Sequence, residues 1–405
     1  MSSKKNFSLF GMPEDVVFCK ECVISNQKPN TIVEFNQGMN KTRKGISFNK
    51  DGVCSACEFT KVKENKIDWK KRESDLENLL KRFRKKKGYD VIVPSSGGKD
   101  SSYTAHLLKY KYNMNPLTVT WAPHLFTDIG WQNLQNSSHV GGFDNILHTP
   151  NGKLHRLVTK LAFENLMHPF QPFIIGQKLI GPMLSVKFDV PLVMYGENQA
   201  EYGNSIEENS SSKMSDIFFA TKDIEKIKLG GLSIKEIIEK YKFDLRDFAP
   251  YMPPNNSEIK KTGTEVHYLG YFVKWDNQES YYYSAEHTGF KPNTERTQGS
   301  YSRYSSIDDK IDWFHYFTTF IKFGIGRATI DAVQEIRTKK ITREEGVQLV
   351  RKYDNEFPTK YFKDFLNYIS INEEKFWKIV DDHRSPHLWD FDKVKKKWKL
   401  KKQVV

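Results

Sequence analysis

No cysteine follows residue 57 in this chain of 405 residues. Thiol chemistry is therefore excluded beyond that point; with the four cysteines on a metal, a thiol glutaminase within the chain is excluded as well. Apolar runs approaching the ~20 residues of a membrane span are absent as well. The opening Met-Ser-Ser-Lys-Lys-Asn has no apolar core of the signal-peptide kind, so the chain is expected to be cytoplasmic. Acidic residues are in deficit, 50 against 63 Lys and Arg, giving a net charge of +13. Two runs carry much of that excess, Lys81 to Lys87 and the seven lysines between Lys393 and Lys402. Runs of this kind are solvated faces or attract a polyanion.

The cysteines that are present form two Cys-x-x-Cys pairs, Cys19/Cys22 and Cys54/Cys57. In a reducing compartment such pairs hold metal more often than they form disulfides. Four thiolates suit tetrahedral zinc, and the same ligands leave an iron–sulfur cluster open. The 31 residues between the pairs exceed the usual zinc-ribbon spacing, but a loop spans them at modest entropic cost. Residues 1–65 have little periodicity, and a metal would supply the core they lack. They are read as a four-cysteine zinc-binding module.

A strand, a glycine loop and a helix follow each other at residues 89–108. Val91-Ile-Val-Pro94 is apolar, Ser95-Ser-Gly-Gly-Lys-Asp-Ser-Ser102 is the loop, and Tyr103, Ala105, Leu107 and Leu108 have helical spacing. Glycine allows close backbone approach to a ligand, and a helix start offers unpaired N–H groups to a phosphate. Lys99 adds a mobile charge, and Asp100 a carboxylate suited to magnesium. The loop lacks the spacing of a Walker A motif. Ser96-Gly-Gly-Lys-Asp-Ser101 instead resembles the PP-loop of the ATP pyrophosphatase superfamily. That resemblance implies ATP cleavage between the α and β phosphates. It places Ser96, Gly97, Gly98, Lys99, Asp100 and Ser101 on the pyrophosphate, and Thr120, Trp121 and Gly196 at the nucleotide.

Strands are expected at 91–94, 116–122, 144–148 and 192–195, with helices at 101–112, about 130–138, about 152–166 and about 173–187. This alternation predicts a parallel, doubly wound α/β sheet, with ligands beyond the carboxyl ends of its strands. Gly196-Glu197-Asn198 lies at such an end, followed by Glu201 and Tyr202. Glu197 is taken as catalytic, with Asn198 and Glu201 as substrate contacts. Lys322 and Arg327, flanking Gly324-Ile-Gly326, are candidates to grip a phosphate or sugar acid. His124 reads equally well as a nucleotide neighbour or a loop histidine. A fifth strand is expected over Tyr268–Trp275, a charged connecting helix over 66–87, a mobile loop over 204–216 and a helix over Asp223–Tyr241. The last hundred residues read as helices, with capping boxes starting at Ser306, Thr342 and Ser370. The domain division is 1–65, 66–250 and 251–405.

Taken together, the chain resembles the N-acetyl sugar amidotransferases, the group that includes the pseudaminic acid and lipopolysaccharide amidotransferases. The resemblance rests on the four cysteines, the loop, Tyr195-Gly-Glu-Asn-x-Ala-Glu-Tyr-Gly203, Leu269-Gly-Tyr-Phe272 and Ile321-Lys-Phe-Gly-x-Gly-Arg-Ala-Thr329. It implies an enzyme that uses ATP and Mg2+, with structural Zn2+, to turn a sugar acetamido group into an acetamidino group for surface glycan or flagellin glycosylation. The ammonia would come from a separate glutaminase resembling imidazole glycerol phosphate synthase. Two other classes stay open: a tRNA-modifying PP-loop enzyme of the lysidine synthetase or thiolase type, and a nucleotide-binding protein without catalysis. Thiolation is disfavoured by the missing cysteines.

Overall fold

In a computed structural model, which describes residues 7–36, 43–203, 210–221 and 223–405, the centre of the chain is a five-stranded parallel sheet. Its strands are β1 (Val91–Pro94), β2 (Pro116–Trp121), β3 (Asp144–His148) and β4 (Leu192–Tyr195). Two short strands, β5 (Lys228–Leu229) and β6 (Leu232–Ser233), form a separate hairpin, and β7 (Glu265–Tyr268) completes the sheet. The order is β3-β2-β1-β4-β7. Registry runs from Val91 opposite Pro116 to Leu192 opposite Glu265. Strand order reverses between β1 and β4, and a parallel sheet opens a crevice at that point, beyond the carboxyl ends.

Both faces of the sheet are covered, which is why every residue of β1 and β2 is buried and β1 is apolar throughout. Ile92, Val119 and Val193 point into a core shared with α5 (Gly152–Leu166) and α6 (Gln171–Phe188). Val91, Val93 and Met194 point the other way, against α2 (Trp69–Phe83) and α3 (Lys99–His106). Helix α3 runs on into a π-helical turn, Leu107–Lys111. Helix α4 (Asp128–His139) follows β2.

After β6 come α7 (Ile234–Tyr241), α8 (Asn256–Thr262) and, beyond β7, α9 (Asn277–His287). The rest is helical: α10 (Asp312–Phe323), α11 (Arg327–Arg337), α12 (Arg343–Tyr353), α13 (Phe362–Ile369) and α14 (Glu373–Asp382). These helices lock through aromatic rings such as Phe314 and Phe365, stacked with centroids 4.3 Å apart. A hairpin of β8 (Trp389–Asp392) and β9 (Lys397–Leu400) follows. Among the described residues no helix is long and apolar enough to cross a membrane.

Several expectations need correction. The fifth strand is Glu265–Tyr268, not Tyr268–Trp275. At Gly270 the backbone N–H turns to the Gly196 carbonyl, 2.8 Å away, and a 3-10 turn replaces the ladder. Within Asp223–Tyr241 only α7 is α-helical, because Gly230 and Gly231 take positive φ and close the β5–β6 hairpin. Ser306 and Ser370 do not start helices. Both have positive φ, 56° and 53°, and Asn372 caps α14 instead. Thr342 does cap α12 through a complete capping box with Glu345. The N-terminal segment contains a full helix, α1 (Ser55–Asn65). Of the loop expected at 204–216, residues 204–209 lie outside the described residues. Lys213 bridges His267, so the remainder runs along the sheet edge.

Candidate functional site

The glycine loop turns between β1 and α3 at the switch point. Gly97 has φ +78°, and a Cβ there would lie 2.5 Å from the Leu134 Cα of α4. Both the backbone angle and the space demand glycine. Gly97→Ala is expected to cost about 2–4 kcal/mol and to abolish nucleotide binding, read by denaturant unfolding and ATP titration. Ser95 Oγ accepts the Gly97 N–H at 3.1 Å and donates to Ser101 Oγ at 2.9 Å. Ser101 in turn donates to the Gly98 carbonyl at 3.0 Å. Gly98 caps α3 without a side chain, so the first-turn N–H groups stay free for a ligand. Lys99 Nζ donates to both Asp100 carboxylate oxygens at 2.7 Å.

Two cavities meet at this loop. The smaller, about 210 Å³, is bounded by Pro94, Val119, Trp121, Phe173 and Ile180. The larger, about 340 Å³, lies between the loop and the far wall formed by residues 304–338. Ser96, Gly98, Asp100, Phe173, Gln177 and Glu197 border both. Seven carboxylates line the larger one (Asp100, Glu197, Asp308, Asp309, Asp312, Asp331, Glu335) against two cations, Lys99 and Arg327.

Burial and mutual repulsion push several of these acids up. Glu197 reaches about 7, through burial and then the charge of Asp100, with Lys99, a Tyr202 hydroxyl donated to it and Arg327 acting the other way. Asp312 is pushed up to about 7, chiefly by burial and further by Asp308 and Asp309. Asp308 is raised by burial although Ser96 hydrogen-bonds to it. Arg327 is fixed by the Tyr316 hydroxyl at 2.6 Å and by Asp331 at 2.9 Å. Asp354 accepts from the backbone N–H groups of Gly326 and Thr329 and so anchors the start of α11.

The expected site residues divide accordingly. Ser96, Gly97, Gly98, Lys99, Asp100, Glu197 and Arg327 border the larger cavity, and Ser101 and Trp121 border the smaller. Trp121 lies flat under α6, where a Cβ on Gly176 would fall 2.1 Å from the indole. Its indole N–H has no partner among the described residues. Thr120 is buried and hydrogen-bonded to Asn145, and it borders neither cavity. Gly196 is enclosed by Trp275 and Thr104. Asn198 caps the 3-10 turn Gln199–Tyr202, and Glu201 is buried in an ion pair with Lys63 at 2.7 Å. Lys322 points away from the cavities. It donates to the Leu166 carbonyl at 3.3 Å, lies over the Phe10 ring, and is pushed down to about 7 by burial and Arg43. His124 is a core histidine, bound to Asp309 through Nδ1 at 2.7 Å and stacked on His155.

Tyr304, Tyr316, Asp312, Asp331, Gln334 and Glu335 were not anticipated from the sequence. In α11, Arg327, Asp331, Gln334 and Glu335, with Thr338 just past its end, follow helical spacing and read as an ordinary solvent face. The folded chain turns that face onto the loop.

A second centre lies in the N-terminal segment. The four cysteine sulfurs are all within 4.8 Å of one another. Cys19 and Cys57 are 4.0 Å apart, Cys22 and Cys54 3.8 Å. A tetrahedron with metal–sulfur bonds of about 2.3 Å has edges of about 3.8 Å, so the spacing suits a single zinc-like ion. Backbone N–H groups of Glu21, Cys22 and Cys54 point at Cys19 Sγ from 3.3–3.5 Å. Cys54 caps α1 and Cys57 lies in its first turn, where the helix dipole favours thiolate.

Residues 298–404, which include the whole of the far wall, match the family model described as LPS biosynthesis protein WbpG-like, C-terminal domain. Among curated proteins the chain is similar to an uncharacterized protein of Methanocaldococcus jannaschii, 36% identical over 80 residues. That stretch is 20% of this chain and 28% of the relative, so only a little over a quarter of the relative's length is matched.

Proposed function

We propose that the chain is an ATP-dependent amidotransferase of lipopolysaccharide or related surface-glycan biosynthesis, converting a sugar acetamido group into an acetamidino group. The observation that carries this reading is the meeting of two cavities at one glycine loop, with Glu197 and Asp100 at the junction. The nucleotide base and ribose lie on the Trp121 side, the acceptor lies in the larger cavity, and the α-phosphorus sits between them.

An amide oxygen is a poor leaving group, and adenylation repairs that. The acetamido oxygen attacks the α-phosphorus and the bond to the bridging oxygen breaks. Pyrophosphate leaves, and the acetamido N–H proton passes to Glu197. The free N–H groups at the start of α3, together with Lys99, hold the charge that develops on pyrophosphate. Ammonia from a separate glutaminase adds to the carbon of the O-adenylyl imidate, and AMP departs with the former amide oxygen. Magnesium, when bound, neutralises the polyphosphate. Asp100 is the carboxylate of the loop that would hold it, and the crowding of acids there fits a cation. The zinc ion, on the four cysteines, is structural.

A sugar acceptor agrees with the far wall, where carboxylates and Gln334 can accept from or donate to hydroxyls and Arg327 offers one anion contact. The same seven carboxylates disfavour a polyanionic RNA in this cavity. The test is pyrophosphate release with ATP, ammonium and a panel of N-acetylated nucleotide sugars, against tRNA. Sugar-dependent release is expected, and release stimulated by tRNA alone overturns the reading. Asp100→Ala is expected to lower the rate by more than about 100-fold with zinc content unchanged.

A further inference from the structure

The turn Gln199–Tyr202, which follows β4, lies between the four-cysteine centre and the cavity. Helix α1, which carries Cys57, leans on it. Ser55 Oγ donates to the Gly203 carbonyl at 3.0 Å, and Lys63 pairs with Glu201. Arg337, in the last turn of α11, reaches both sides. Its Nη2 lies 3.7 Å from Cys22 Sγ and 3.8 Å from Cys54 Sγ. Its Nη1 donates to the Glu201 carbonyl at 2.9 Å. The guanidinium is buried, and its Nε has no partner among the described residues. One residue beyond that carbonyl, Tyr202 borders the larger cavity and donates its hydroxyl to Glu197.

We propose that Arg337 is a positioning residue that couples occupancy of the four-cysteine centre to the placement of Tyr202 and Glu197 in the cavity. The role given to Glu197 rests on the amidotransferase reading; the coupling itself does not. Four thiolates around one divalent ion carry a net charge of −2, and a buried guanidinium beside them is stabilised by that charge. Emptied of metal, the four sulfurs are no longer held at fixed positions, and the anchor that Cys22 and Cys54 give Nη2 is lost. The same planar group then loses its second anchor, and the Glu201 carbonyl is held less firmly. A lysine cannot replace this arrangement, because its single ammonium cannot span sulfur and carbonyl in a fixed fork. Arg337 is also a partner of the metal ligands, and losing such a partner typically lowers metal affinity or activity about 10–100-fold.

The experiment needs no variant to begin. Amide hydrogen exchange is followed in the full chain, zinc-loaded and after zinc is withdrawn by a chelator. Exchange at residues 199–203 is expected to rise about tenfold or more in step with zinc loss, while β2 stays protected. Unchanged protection at 199–203 in the zinc-free chain overturns the coupling. Arg337→Lys separates positioning from mere stability. It is expected to keep one zinc per chain, to release it to the chelator about tenfold faster, and to expose 199–203 to exchange. Its kcat should fall at unchanged KM for ATP, with the acidic limb of the pH–rate profile displaced. A lysine variant with wild-type exchange, zinc release and pH profile refutes the assignment. If no acceptor supports turnover, the amidotransferase reading fails, and exchange and zinc release still decide the role of Arg337.

Discussion

Replacing Glu197 by Gln is expected to lower acceptor-dependent pyrophosphate release by about 10²–10⁴-fold, the usual worth of a positioned base, while making the protein more stable at pH 8. Burial, and after it the charge of Asp100, raises the Glu197 carboxyl from 4.5 to about 7 in the folded chain. Below pH 4.5 the group is protonated in both folded and unfolded chains and costs nothing. As pH rises from 4.5 to 7 the unfolded chain ionises first, so stability falls; above pH 7 the deficit is constant. A gap of this size corresponds to up to about 3 kcal/mol. The substituted amide carries no charge and keeps a partner for the Tyr202 hydroxyl, so the variant escapes the deficit. Thermal melts of both proteins at pH 5 and pH 8 check this. The gain should be nearly full at pH 8 and fall to about a quarter at pH 5. Equal melting temperatures at pH 8 would show that Glu197 is not strained, and with it the argument for a base tuned near neutrality would fall.

Withdrawal of the metal should have the other large effect. Cys19, Cys22, Cys54 and Cys57 are all buried, in one cluster with Val23, Ile46 and Val53 of the same segment and Ala332, Val333 and Val347 of α11 and α12. Four-ligand zinc sites supply about 10–16 kcal/mol of apparent folding free energy in free-standing fingers. Here α11 and α12 still cover one side of the cluster, so the expected loss is smaller, on the order of 5 kcal/mol. A chelator should lower the melting temperature, and zinc, but not magnesium, should restore it. A zinc-free chain that melts as the loaded one does would mean that the thiols pack as ordinary core residues.

Much of the sheet was legible because its strands are buried on both faces. β1 and β4 are continuous apolar runs, and β2 interrupts its run only with the β-branched Thr118 and Thr120. The turn at Gly97 was legible because an apolar run, a glycine pair and a helical spacing follow one another in the sequence. Other features depended on distant partners. Tyr268–Trp275 has the composition of a strand, yet only Tyr268 joins the ladder. Leu269, Phe272 and Trp275 are buried as a turn against the helical side. Helix α1 hides its period because its covered positions include Ser55 and Lys63, which are held by polar contacts rather than apolar packing. Glu201 and Lys322 have the chemistry of ligands, but each finds a partner inside the protein. Nothing local distinguishes a carboxylate that meets Lys63 from one that meets a substrate.

The thiolate cluster shares its core with Val404, and Lys402 reaches back 387 positions to Asp15. At ribosomal rates of 5–20 residues per second, that interval is about 20–80 s of synthesis. For most of it the cysteines are already made while Ala332, Val333, Val347 and Val404, which will cover them, do not yet exist. The nascent chain thus meets whatever metal or oxidant the compartment offers before its own later part arrives to close the site. Conditions that slow elongation lengthen that exposure.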